Sequence, residues 1–249
     1  MLRLKFMRLL KNLSGALIEI IYPKTCQVCK KKITLSSIEG MVCCECWGKI
    51  KKNLPPFCRK CGRSLEKGKS IKNPCSTCAK TDLYFNRAFS PFSYEGVLKE
   101  LIHSFKYKSC DYLGPVLAKS MIEFINEYNL PMQAVDLILP VPLHKAKLRE
   151  REFNQSAILA KQLADKFDKD MPEGLLRRKL NTPSQTELDD SQRQLNVKGA
   201  FSVSDASLVK NKNILLVDDV LSTAATCSEA SKALKESGAG MVYVITLAN

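Results

Sequence analysis

Apolar residues recur at helical spacing at the start of the chain and then give way to short runs that alternate with helical patterns. Over Met1 to Ile21, Phe6, Leu9, Leu10, Leu13, Leu17 and Ile20 share one face, with Lys5, Arg8, Asn12 and Glu19 opposite. That spacing predicts an amphipathic helix, stopped by Pro23 and packed on its own protein. From Asp82 the pattern changes. Arg87 to Tyr94 reads as an edge strand, Glu95 to Phe105 and Tyr112 to Tyr128 as helices, and Val135 to Leu139 as a buried strand. Phe153 to Phe167 is helical, Leu180 to Lys198 is a polar loop, Ile214 to Val217 is a second buried strand and Met241 to Leu247 a last one. Strands alternating with helices predict an α/β fold with a parallel sheet, whose ligands bind at the carboxyl ends of the strands. The expected organisation is a helix over 1–24, a small module over 25–82 and a sheet domain over 83–249.

Composition adds a lopsided charge. Of the net +14, residues 1–82 hold 18 Lys/Arg against 5 Asp/Glu, and residues 83–249 hold 21 against 20. The excess sits in the N-terminal third and points to a polyanion partner there. No apolar run is long enough to span a membrane. The charged start has no clean apolar core and no small-residue cleavage site, so it makes a poor signal peptide and a cytoplasmic protein is expected.

Nine of the eleven cysteines fall between residues 26 and 78, eight of them as Cys-x-x-Cys pairs: Cys26/Cys29, Cys43/Cys46, Cys58/Cys61 and Cys75/Cys78. Two residues between ligands let one turn present both sulfurs to one metal. The repeat therefore reads as two zinc ribbons in tandem, carrying two structural Zn²⁺ ions. Disulfides are the alternative, but nothing else indicates an oxidising compartment. Spacing leaves open whether the pairs cross and whether Cys43 or Cys44 ligates. Two Zn(Cys)₄ clusters would still leave about +9 on this segment. Lys30, Lys31, Lys32, Lys51 and Lys52 flank the knuckles, with Trp47 and Phe57 among them. Such a surface suits single-stranded nucleic acid, although either aromatic alone reads better as a core residue. Cys110 and Cys227 read as packed thiols.

Candidate chemistry concentrates at Ile214 to Thr226. A buried strand runs into Asp218 and Asp219. Ser222, Thr223, Ala224, Ala225 and Thr226 form a turn of small and hydroxyl residues before a helical pattern from Cys227 to Lys235. Small side chains at such a turn let backbone N–H groups converge on an anion, and the carboxylates suit sugar hydroxyls or a divalent cation. Together they describe a phosphorylated ribose site. A second loop, Pro140 to Gln155, carries Lys145, Lys147, Arg149 and Arg151, four cations within seven residues. They suit a pyrophosphate, or else form a solvated helix face partnered by Glu150 and Glu152.

The Asp218-to-Thr226 segment resembles the 5-phosphoribosyl-1-pyrophosphate (PRPP) loop of type I phosphoribosyltransferases. With Val141-Pro142-Leu143-His144, Tyr94-Glu95-Gly96, Phe105-Lys106-Tyr107-Lys108, Arg151 with Phe153-Asn154-Gln155, Arg177/Arg178, Gln185, Arg193, Asn196 and Gly199-Ala200-Phe201, the resemblance narrows to the ComF (ComFC) competence family. That family joins a double zinc ribbon to a phosphoribosyltransferase-like domain. The resemblance implies that Asp218 and Asp219 hold the ribose hydroxyls of Mg²⁺-bound PRPP and that residues 222–226 hold its 5′-phosphate. It also implies handling of incoming single-stranded DNA in natural transformation, with competence or recombination proteins as partners. Glu152 and Ala224 stand where the family usually has glycine. A backbone needing φ > 0 would be strained at both, which counts against efficient phosphoribosyl transfer. Two other functions stay open: a working phosphoribosyltransferase of nucleotide metabolism, and a zinc-ribbon adaptor with a relic sheet domain.

Overall fold

A computed structural model describes residues 25–33, 37–38, 40–66, 74–107, 110–180 and 197–249. The amphipathic helix expected over 1–21 lies outside these residues, as do 181–196 of the polar loop, with Gln185, Arg193 and Asn196.

The described chain forms two compact units, 1–50 and 51–249. In the first, strands β1 (Ser37–Ile38) and β2 (Val42–Cys43) pair antiparallel. A short helix α1 (Cys44–Gly48) follows, its first turn capped by the Cys43 thiol, which accepts from the Cys46 amide.

The second unit runs in order through β3 (Arg87–Phe89), α2 (Gly96–Tyr107), α3 (Gly114–Glu127), β4 (Leu137–Pro140), α4 (Lys145–Arg151) and α5 (Gln155–Phe167). It continues with β5 (Leu176–Arg178), β6 (Phe201–Val203), β7 (Ile214–Val220), α6 (Ala225–Glu236) and β8 (Val242–Ala248). Strands β3, β8, β7 and β4 lie side by side in that order, all parallel, while β5 and β6 form an antiparallel pair. Ile214, Leu215, Leu216 and Val217 are all buried, as an unbroken apolar run in a sheet covered on both faces requires. Helices α3 and α5 pack on each other and on the sheet, and α6 packs against β6, β7 and β8. In α2, Leu98, Leu101, Ile102 and Phe105 repeat at helical spacing and are fully buried, each contributing roughly 1.5 to 3 kcal/mol.

The second cysteine cluster is built into this unit. Cys58 and Cys61 are buried in one core with Phe85, Ala88, Leu216 and Val244. The Ala88 amide of edge strand β3 donates to the Lys60 carbonyl at 2.7 Å. Gly62 lies so close to that strand that a Cβ would stand 2.5 Å from the Ala88 carbonyl oxygen, and its φ of +73° excludes most side chains as well. Asn53 donates to the carbonyls of Ser90 and Phe92, and Asn249 to that of Cys61, all within 3.0 Å. Phe57 sets its ring edge-on against Phe124 and Tyr128. The sequence reading places a module boundary at residue 82; packing divides the described chain after residue 50, and the second ribbon joins the edge of the sheet.

Candidate functional site

The eight knuckle cysteines form two groups, Cys26/Cys29/Cys43/Cys46 and Cys58/Cys61/Cys75/Cys78, without crossing. Within each, all four sulfurs lie within 4.8 Å of one another. Cys43 belongs to the first group, its sulfur 3.8 Å from that of Cys29, while Cys44 is exposed. Backbone amides of Cys43 and Cys75 donate to the sulfurs of Cys26 and Cys58. In the second group a hydrogen bond from Cys78 draws Cys61 down to about 5, and the same bond pushes Cys78 up. Four sulfurs this close cannot all be thiolates unless a cation neutralises them. The donor sets fit two structural zinc ions, which would supply cross-links and folding free energy.

The two carboxylates lie at the carboxyl end of β7, beside the end of β4. Asp219 is 7% exposed, and Lys106 from α2 reaches it at 2.9 Å. Burial alone would lower the Lys106 ammonium, but Asp219, with help from Asp218, raises it overall. Asp218 accepts from the Ser156 hydroxyl at 2.8 Å and the Asp219 amide at 2.9 Å, and the buried Cys227 thiol donates to its other oxygen at 3.7 Å. Burial, then repulsion from Asp219, pushes Asp218 up to about 6; Ser156 and Lys106 oppose the rise. Burial and the Asp218 charge also drive Cys227 well above the usual thiol range, which keeps it a neutral donor.

The Asn154-Gln155-Ser156 tripeptide assembles this geometry. Asn154 caps α5 through the Ser156 amide and donates to the Val141 carbonyl after β4. Gln155 accepts from Arg151 and donates to the Lys106 carbonyl, tying α4 to α2. Ser156 holds Asp218. Arg151 also donates to the Tyr107 hydroxyl at 2.9 Å and stacks 4.7 Å over its ring.

The cations expected as a loop lie on helix α4, capped at its start by His144. Lys147 and Arg151 are half-buried, whereas Lys145 and Arg149 are exposed. Lys147 is held below its usual range by burial and by Arg178, Arg151 and Lys106, against Glu150. Arg178, from β5, is lowered by burial and by Arg151, and Asp218 opposes this. Lys106 and Arg178 thus face the acidic pair, while Lys147 and Arg151 lie close enough to these cations to repel them. Lys106, Ser156 and Arg178 reach the site from three separate elements. Lys106 and Arg178 stood in the family pattern without a role, and Ser156 had no sequence signal beyond following Asn154-Gln155.

The turn after β7 is exposed at Ser222 and half-buried at Thr223 and Thr226, with Ala224 and Ala225 buried. The Thr223 hydroxyl oxygen is buried and has no hydrogen-bond partner, a donor that a phosphate oxygen would satisfy. Ala224 sits at φ +63°, ψ 0° just before α6, and Glu152 at φ +68° just after α4. Both positions where glycine is usual therefore adopt the left-handed backbone that glycine favours. Ala224→Gly and Glu152→Gly should each stabilise the protein by roughly 0.5 to 1 kcal/mol, the strain relieved less the entropy glycine adds to the unfolded chain. Urea unfolding checks this; a loss of stability in either variant would contradict it.

The lysines expected at nucleic acid divide between the units. Lys30, Lys31 and Lys32 are exposed in the first, with Lys30 donating to the Gln27 carbonyl. Lys51 and Lys52 are exposed in the second, where Lys51 pairs with Glu95 at 2.9 Å.

Comparison with known proteins agrees with this arrangement. A double zinc ribbon domain matches residues 17–79, and a phosphoribosyl transferase domain matches residues 154–249. Competence protein F of Haemophilus influenzae is 28% identical over 83% of this chain and 90% of its own. Competence protein ComFC of Bacillus subtilis is 28% identical over 79% of each. DNA utilization protein YhgH of Escherichia coli is 25% identical over 89% of this chain and 95% of its own. In domain content and order, the chain is similar to these competence proteins, with a match to a double zinc ribbon domain followed by a match to a phosphoribosyl transferase domain.

Proposed function

We propose that this protein handles incoming single-stranded DNA during natural transformation, in the cytoplasm, and that its sheet domain binds PRPP or a related phosphorylated ribose with Mg²⁺. The carrying observation is that Lys106 and Arg178 face Asp218 and Asp219 at the carboxyl ends of adjacent parallel strands, with Lys147 and Arg151 close to these cations. In this reading Asp218 and Asp219 take the ribose hydroxyls and the cation, and Ser222 to Thr226 take the 5′-phosphate. Lys147 and Arg151, joined by Arg178, take the pyrophosphate. The DNA role draws on the names of the relatives and on the charge excess of residues 1–82. Sequence modules 1–24, 25–82 and 83–249 belong to the same proposal.

Binding of single-stranded DNA should weaken steeply with salt, by a log–log slope of roughly −0.7 per phosphate neutralised. Replacing Lys30, Lys31, Lys32, Lys51 and Lys52 by Gln should flatten that slope and leave zinc content and PRPP binding intact. The Lys51–Glu95 pair is exposed and does not hold Lys51 back from DNA. An unchanged slope in fluorescence anisotropy would remove these lysines from the interface. A second reading, an active phosphoribosyltransferase, is favoured by the left-handed backbone that Ala224 and Glu152 keep despite their side chains. Pyrophosphate release from PRPP in the presence of a nucleobase separates the two.

A further inference from the structure

A cavity of about 670 Å³ in the 51–249 unit is lined by neither Asp218 nor Asp219. It opens beside edge strand β3 and the start of β8, where Arg87 pairs in register with Tyr243. Its walls are Phe57 and Arg59 from the second ribbon, Arg87 and Phe89 from β3, Tyr128 from the end of α3, and Tyr243. No carboxylate is among the described residues that line it. Arg87 lays its guanidinium 5.0 Å from the Phe89 ring centre, and its Nε is buried with no hydrogen-bond partner. Buried donors of this kind are rare in folded proteins, and a ligand oxygen is one of the few things that satisfies them.

From this we propose that the cavity is a nucleotide subsite for single-stranded nucleic acid. One base stacks among the aromatic rings, and Arg59 and Arg87 take the flanking phosphates. Its volume is in the range of small-ligand sites, and aromatic faces beside arginines bind single strands with little sequence preference. Arg59 lines the cavity and is exposed, which puts a cation where a strand entering from solvent carries its phosphate. The inference rests on the DNA-handling reading and moves part of the interface away from the exposed lysines. It also gives the fusion of ribbon and sheet a purpose, since neither builds the cavity alone.

The test uses the full zinc-loaded chain and a short fluorescent oligothymidylate. The Arg59→Gln/Arg87→Gln variant should bind about tenfold more weakly and lose roughly 0.7 to 1.4 from its salt slope, with PRPP binding unchanged. An oligomer carrying bromodeoxyuridine, irradiated on the wild-type protein, should attach to Tyr128 or Tyr243, a result independent of how well the variant folds. A wild-type chain that binds DNA while the variant binds equally well, or whose adducts fall only within residues 25–50, overturns this subsite and leaves the DNA reading standing. A wild-type chain that does not bind the oligomer at all contradicts the reading itself.

Discussion

Replacing Cys61 and Cys78 by serine should unfold the 51–249 unit and abolish PRPP binding, whereas the same change at Cys29 and Cys43 should leave PRPP affinity within about twofold. The asymmetry follows from packing. Cys58 and Cys61 share a core with Leu216 and Val244, and the knuckle pairs with β3 through Lys60 and Ala88. Cys61, Cys78 and Arg63 also border the same small cavity as Ser222, Thr223 and Ala224, so the second cysteine cluster stands against the turn proposed for the phosphate. A structural zinc site supplies about 10 to 16 kcal/mol, as much as or more than the whole stability of an ordinary domain. The first cluster lies in the other compact unit. Metal analysis, circular dichroism and calorimetry on the two variants check this. A Cys61→Ser/Cys78→Ser protein that keeps a native unfolding midpoint and binds PRPP would sink the assignment.

A second large effect is expected at Lys106→Met. That substitution removes the ammonium that faces Asp219 at 2.9 Å and leaves the buried Asp219 without its ion-pair partner beside Asp218. Removing one partner of a buried ion pair costs about 3 kcal/mol or more. The loss should depend on pH, with a sign that can be worked out. Asp218 already titrates near 6 in the folded protein, above the unfolded value of about 3.9, so the folded state binds the extra proton. A carboxyl raised in this way contributes stability at low pH that is lost as pH rises through its folded value. Without Lys106 the folded value climbs further. The variant should thus be most impaired at pH 8 and closest to wild type near pH 5, where a proton takes over part of the ammonium's work. Mg²⁺ at pH 8 should restore part of the deficit. Equal urea midpoints for wild type and variant at both pH values would contradict the account.

Much of the fold could be read from local pattern. The runs at Leu137 and Ile214 and the spacing of Leu98, Leu101, Ile102 and Phe105 mark their elements because burial, periodicity and length agree there. Helix α4 stood only as an alternative to a loop because Lys-Ala-Lys-Leu-Arg-Glu-Arg offers one large apolar residue and hence no period. The β5–β6 pair escaped because each strand has three residues and a long polar stretch separates them. At the site, Asp218, Asp219 and the turn to Thr226 are contiguous and therefore legible. Lys106 is far from Asp219 in sequence, and only the packing of α2 beside β7 and α5 makes them partners. Cysteine spacing gave the ligands but not their grouping, nor that one ribbon belongs to the sheet domain.

The central claim is that Asp218 and Asp219 form the heart of a phosphorylated-ribose site. Calorimetric titration of PRPP with Mg²⁺ into the wild-type chain and into Asp218→Asn/Asp219→Asn tests it most directly. Asn keeps the size of Asp and removes the charges proposed to hold the cation and the ribose hydroxyls, along with the charge that pairs with Lys106. The account predicts saturable binding in the wild type and loss of all or most of it in the double variant, with zinc content unchanged. Equal affinity in the two proteins would contradict it.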